Sequence, residues 1–168
     1  MRRAALESPT WRGLLLDVPD HAPLHPISPG IIVGGITSAA TTGALIAIGH
    51  RLGNAGIPFA AMSAALFHRT AAGGEVGLVF AGIVLHITVM FVLAFVCVWL
   101  VERLDLSRVV AAGLVALGEL ALSWVVAWSS GSGMATILPL GDRMVVAVVT
   151  VLALVIGMRF ALPSLRNA

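Results

Sequence analysis

The chain has 168 residues, of which 59% are hydrophobic and 11% charged, with a mean hydropathy of +1.03 and a net charge of +2. Soluble domains usually carry about 25% charged residues, so this composition excludes an ordinary water-soluble fold. All ten basic residues are arginines, scattered in ones and twos rather than clustered. This distribution argues against nucleic acid as a partner.

The N-terminal segment, residues 1–29, is rich in proline and lacks the apolar core of a signal peptide. We expect it to form a cytoplasmic or interfacial arm that lies over the membrane surface or a partner protein. Its His21 and His25, next to Asp20, do not have the spacing of a zinc site, so we predict no metal here.

Four apolar stretches follow, at residues 30–50, 76–101, 109–128 and 144–162. About 20 apolar residues are needed to cross the hydrocarbon core of a bilayer as a helix. The stretches are continuous, whereas barrel strands alternate in polarity over about ten residues. We therefore predict an all-α integral membrane protein whose membrane domain, residues 30–168, has four transmembrane helices.

The first span contains small residues at every fourth position: Gly35, Ala39, Gly43 and Ala47. Such a row lets two helix backbones approach closely, which favours helix association in lipid. The row is predicted to be a helix-packing face, used either inside the protein's own bundle or against another subunit.

The connection after the first span contains apolar residues at helical spacing over residues 57–72. This segment is too short to span, and we expect a short interfacial or re-entrant helix in the first outer loop. The charged link at residues 102–108 is short, which predicts that the second and third spans are antiparallel neighbours. The fourth span is rich in Val and Leu, and we expect it to face lipid.

Arginine counts predict the orientation. The N-terminal segment, the 102–108 link and the C-terminal end carry 3 + 2 + 2 = 7 arginines, and the two other loops carry 2 + 1 = 3. The positive-inside rule then places both termini in the cytoplasm. We expect a multi-pass protein of a bacterial inner membrane.

Two ionisable residues, His86 and Glu119, lie deep in the second and third spans. Such groups are costly in lipid and normally face a partner in the protein interior. Three interpretations remain open. The two side chains could form a structural hydrogen-bonded pair. His86 could be an axial ligand to a haem or chlorophyll-type pigment, with Gly82 one turn earlier leaving room for a ring. Glu119 could instead accept a proton during transport, with His86 as a relay.

The sequence contains no complete catalytic constellation. Cys97 is the only cysteine, which excludes an internal disulfide, and the serines near residue 130 lack a nucleophile elbow. We therefore expect no catalytic residues. The favoured function is a small, non-enzymatic membrane subunit that packs within or stabilises a larger bacterial complex of respiratory or photosynthetic type. The alternatives are a proton-coupled transporter using Glu119 and a haem- or pigment-binding subunit using His86.

Overall fold

The computed structural model describes residues 27–68, 75–130 and 134–162. Every regular element in these ranges is a helix, and the order is α1 Ile27–Arg51, α2 Ile57–Leu66, α3 Val76–Leu104, α4 Arg108–Ser129, α5 Met134–Ile137 and α6 Leu140–Ala161. The predicted N-terminal arm lies outside the described residues as far as residue 26.

Helices α1, α3, α4 and α6 are long and apolar enough to cross a membrane. The described residues confirm the predicted all-helical architecture with four helices long and apolar enough to span a membrane. The Arg51 end of the bundle is defined as the end where α1 and α4 finish and α3 and α6 begin. The opposite end, where α4 begins, is called the Arg108 end.

Helix α1 lies at the centre of the bundle and packs against both α3 and α6. Helix α4 packs mainly on α6 and touches α3 over a smaller area. An apolar groove of about 390 Å³ runs between α3 and α4. Sequence neighbours in this bundle are therefore not its most closely packed pair.

The expectation that the fourth span faces lipid is wrong. In α6, 39% of the most apolar 18-residue window is buried, against 22% in α4. The reason is a second row of small residues, Ala153, Gly157 and Ala161, all of them buried. A Cβ atom on Gly157 would lie 3.1 Å from the Cα atom of Val33, so α1 and α6 approach closely along this row.

Helix α2 begins within the segment that the sequence predicts as a short helix, and residues 69–72 of that segment lie outside the described residues. Most of its side chains are buried against α3. Ser63 Oγ donates a hydrogen bond to the Leu78 carbonyl at 2.6 Å, and the backbone of Phe59 rests on Gly82. A Cβ atom at Gly82 would lie 1.9 Å from the Phe59 carbonyl oxygen, so only glycine permits this contact.

Arginine side chains tie α6 to its neighbours at both ends. Arg51 of α1 forms an ion pair with Asp142 in the first turn of α6. At the Arg108 end, the Arg108 guanidinium donates to the Leu162 carbonyl just after α6. The second contact supplies a partner for a carbonyl that the helix itself leaves unbonded.

The interior of the bundle differs between its two ends. At the Arg108 end, α1, α3, α4 and α6 bury an entirely apolar cluster: Val33, Ala94, Cys97, Val98, Val101, Ala111, Ala112, Val115, Leu154, Met158 and Ala161. Cys97 lies within it, with its Sγ atom 3.7 Å from the Met158 Sδ atom. Towards the Arg51 end, a second apolar cluster that includes Leu45, Phe59 and Leu138 is accompanied by buried polar side chains, among them Ser63, His86 and Asp142.

Candidate functional site

Four polar residues, one from each spanning helix, form a layer across the bundle: Thr41, His86, Glu119 and Thr150. Each lies ten positions from the terminus of its helix at the Arg51 end. At 1.5 Å per residue, all four lie about 15 Å from that end. The layer therefore crosses the bundle near the middle of the apolar spans.

His86 occupies a closed site where α1, α2 and α3 meet. Its side chain is 3% exposed, and Nε2 lies 3.0 Å from Thr41 Oγ1. The Thr41 hydroxyl also lies 2.8 Å from the Thr37 carbonyl oxygen, and the imidazole tautomer decides which atom donates in the bond between Thr41 and His86. The Phe59 ring meets the imidazole edge-on, with the centroids 6.0 Å apart. This histidine is hydrogen-bonded and packed on several sides.

The space that the sequence suggested for a pigment or haem ring is filled by the protein itself. Gly82 is covered by the Phe59 backbone, and His86 Nε2 is engaged by Thr41. A ring bound through Nε2 would have to replace the Thr41 contact and lift α2 away from α3. In the described ranges, no group of three or more His, Cys, Asp or Glu side chains is arranged to hold a metal ion.

Glu119 has a different environment from His86. Its side chain faces Thr150 of α6, whose hydroxyl donates to the Val146 carbonyl at 3.0 Å, and its Oε2 atom is buried without a hydrogen-bond partner. Within the described residues, no hydrogen bond joins Glu119 to His86. Helix α4 turns its carboxyl towards α6, whereas α3 turns its imidazole towards α1. The packing thus separates two groups that lie at one depth.

Glu119 also forms part of the wall of a small cavity between α4 and α6, here called the polar cavity. Its volume is about 50 Å³, and Glu119, Ser123 and Arg143 supply the polar part of a wall that is otherwise apolar. On its other side, Glu119 borders the apolar groove between α3 and α4. The carboxyl therefore lies between a small cavity that contains polar side chains and a groove that is apolar.

Arg143 is the main residue of this site that sequence reasoning missed, because its polar neighbours assigned it to a loop. It lies in the first turn of α6, half-buried, with Nη1 3.5 Å from the Ser123 carbonyl oxygen. Its Nε atom is buried without a hydrogen-bond partner. Thr41 and Thr150 were also missed. Their position could have indicated them, because Thr41 and Thr150 lie as far from the Arg51 end of their helices as His86 and Glu119 do.

The predicted packing row on α1 faces outward. Gly35, Ala39, Gly43 and Ala47 are all exposed, and a Cβ atom added at either glycine meets no atom within 4 Å. The opposite side of the helix is fully buried against α3 and α6, at Val33, Thr37, Thr41 and Leu45. The small residues at every fourth position are thus on the face that this chain leaves uncovered.

The chain therefore offers two features for function: the polar layer with its cavity, and the outward small-residue row of α1. Protein-family models, curated proteins and solved structures were compared with this chain, and none of them matches it.

Proposed function

We propose that this protein is a non-enzymatic integral membrane subunit that packs against another membrane protein through the outward row of α1. The observation that carries this proposal is the exposure of Gly35, Ala39, Gly43 and Ala47 along one face. The bundle buries the other face of α1 and leaves this one free. A row without side-chain bulk lets a second helix approach closely, which gains van der Waals contact in lipid.

The proposal includes an orientation and a setting. Seven of ten arginines belong to the Arg108 end or to the two terminal segments, which supports cytoplasmic termini and an outward-facing Arg51 end. In that orientation α2 lies towards the outer surface as an interfacial helix. The setting is a bacterial inner membrane, and the partner is a larger assembly of respiratory or photosynthetic type.

Native gel electrophoresis of gently solubilised membranes tests this function. The protein should migrate with a larger complex, and Gly43→Leu should release it, because the added side chain fills the approach surface without meeting atoms of its own chain. Gly118→Leu is the matched control, since Gly118 on α4 is equally open. A protein that migrates alone near its 17.4 kDa mass plus detergent would contradict the proposal.

One observation favours a second function, a small proton-coupled carrier centred on Glu119. The carboxyl lies at mid-depth between the polar cavity and the apolar groove, so it borders two different environments. In reconstituted vesicles, Glu119→Gln should abolish proton-coupled flux while Gly43→Leu leaves it intact. Flux that survives Glu119→Gln would remove this alternative.

A further inference from the structure

The polar cavity is lined by one acidic and one basic side chain, and both are incompletely hydrogen-bonded. Glu119 Oε2 and Arg143 Nε are each buried without a partner, and both residues line the cavity. The Arg143 contact to the Ser123 carbonyl is long, at 3.5 Å. The neighbouring Asp142 carboxylate is engaged by Arg51. Glu119 is therefore the acidic group that shares a cavity with Arg143.

The size and charge of the cavity define what can occupy it. A volume of about 50 Å³ exceeds the roughly 10–15 Å³ that a single water molecule requires, and the site offers the two or more polar partners that a buried water needs. An acidic and a basic group in the wall of one cavity disfavour a bound ion of either sign. They suit a small dipolar molecule that both accepts and donates hydrogen bonds.

We propose that the polar cavity is a hydration site, in which bound water accepts a hydrogen bond from the Arg143 guanidinium and donates one to the Glu119 carboxyl. The water completes the hydrogen bonding of both groups and links Glu119 to the Arg51 end, where Arg143 lies in the first turn of α6. The site stands independently of both functions proposed above.

The apolar cluster around Val115, Leu154 and Met158 lies on the Arg108 side of Glu119, whereas Arg143 lies on its Arg51 side. Apolar cavities stay empty of water. The buried polar residues Thr37 and Ser38, further along α1 towards the Arg108 end, do not line the polar cavity. The hydration that we infer therefore extends from Glu119 towards Arg143 and the Arg51 end.

Three buried methionines make this inference measurable in the intact protein. Met134 lines the polar cavity and is 5% exposed, whereas Met90 (2%) and Met158 (0%) lie elsewhere in the interior. Hydroxyl radicals generated by X-ray radiolysis oxidise side chains next to bound water. In full-length protein in lipid nanodiscs, mass spectrometry should show Met134 oxidised several-fold faster than Met158 and Met90. Equal rates for the three methionines would overturn the proposal.

A pair of matched variants separates cavity water from bulk solvent. Ala147→Leu fills the polar cavity and should reduce Met134 oxidation to the level of Met158. Ala121→Leu makes the same change on the exposed side of α4 and should leave the rate unchanged. Glu119→Leu, which removes the carboxyl without adding bulk, should protect Met134 in the same way. Persistent oxidation in folded Ala147→Leu or Glu119→Leu protein would show that the radicals come from bulk water and would overturn the proposal.

Discussion

The two ionisable groups of the polar layer lie at the same depth but are held in opposite ways. His86 is enclosed by three helices, and its Nε2 hydrogen-bonds Thr41. Glu119 faces Thr150 and keeps one carboxyl oxygen unpartnered beside a cavity. The difference comes from packing: α2 covers His86, whereas α4 is held mainly by α6 and leaves space on two sides.

This contrast indicates a division of roles within one layer. A buried polar group that is fully packed and hydrogen-bonded fixes the arrangement of its helices. A group that is left partly unsatisfied costs stability, and it persists in a fold where access to it matters. We therefore regard His86 as a structural tie and Glu119 as the chemically accessible member of the layer.

The largest effect is expected from Gly82→Ala, which places a methyl group 1.9 Å from the Phe59 carbonyl oxygen. Backbone atoms cannot yield as a flexible side chain does, so α2 must shift and uncover His86. Overpacking of this kind costs about 1–3 kcal/mol, and we expect the upper end of that range. The free energy of unfolding in mixed detergent micelles measures it.

Gly77→Ala is the control, in the same helix and with no atom within 4 Å of the added Cβ. It should leave stability unchanged or raise it slightly, because alanine favours a helix more than glycine does. If both variants lose stability equally, the close approach of α2 to α3 does not exist as described.

The next effect in size is that of Thr41→Val, which removes the hydroxyl that is hydrogen-bonded to His86. Hydrogen bonds between membrane helices average about 0.6 kcal/mol and reach about 1.7 kcal/mol. We expect a loss in the upper part of this range, because His86 is only 3% exposed and cannot replace the lost hydrogen bond with one to solvent.

Thr88→Val provides the comparison for the threonine change itself. The Thr88 hydroxyl bonds the carbonyl four residues earlier, as the Thr41 hydroxyl does, but its side chain is exposed. The two variants share the loss of this local bond, so the excess loss in Thr41→Val reports the His86 contact. If both variants unfold at the same temperature, the contact between Thr41 and His86 does not stabilise the bundle.

The spans could be predicted from the sequence because hydropathy and length together identify a helix that crosses a bilayer. The depth of His86 and Glu119 follows from counting residues along a straight helix. Their partners do not follow, because a helix that is apolar all round carries little information about which face is buried. Threonine is a poor signal as well, since its hydroxyl can bond to its own helix, as at Thr41 and Thr150.

Packing between helices was the least predictable feature. The row Ala153, Gly157 and Ala161 has the same four-residue spacing as the row on α1. It was overlooked because the surrounding valines and leucines dominate the composition of α6. Arg143 was similarly hidden, since a charged residue near a polar loop is ordinarily assigned to that loop. In the structure it lies inside α6 and turns towards α4.

The smallest stability effect is expected from Glu119→Gln. The amide has the shape of the carboxyl, and Glu119 Oε2 has no protein partner to lose. Changes that break no packing or hydrogen-bond network usually stay within about 0.5 kcal/mol. Unfolding in detergent should therefore barely distinguish Glu119→Gln from the parent protein, while Thr41→Val is clearly weakened. If Glu119→Gln lowers the free energy of unfolding as much as Thr41→Val does, then Glu119 stabilises the bundle as His86 does, and the two residues do not differ in role.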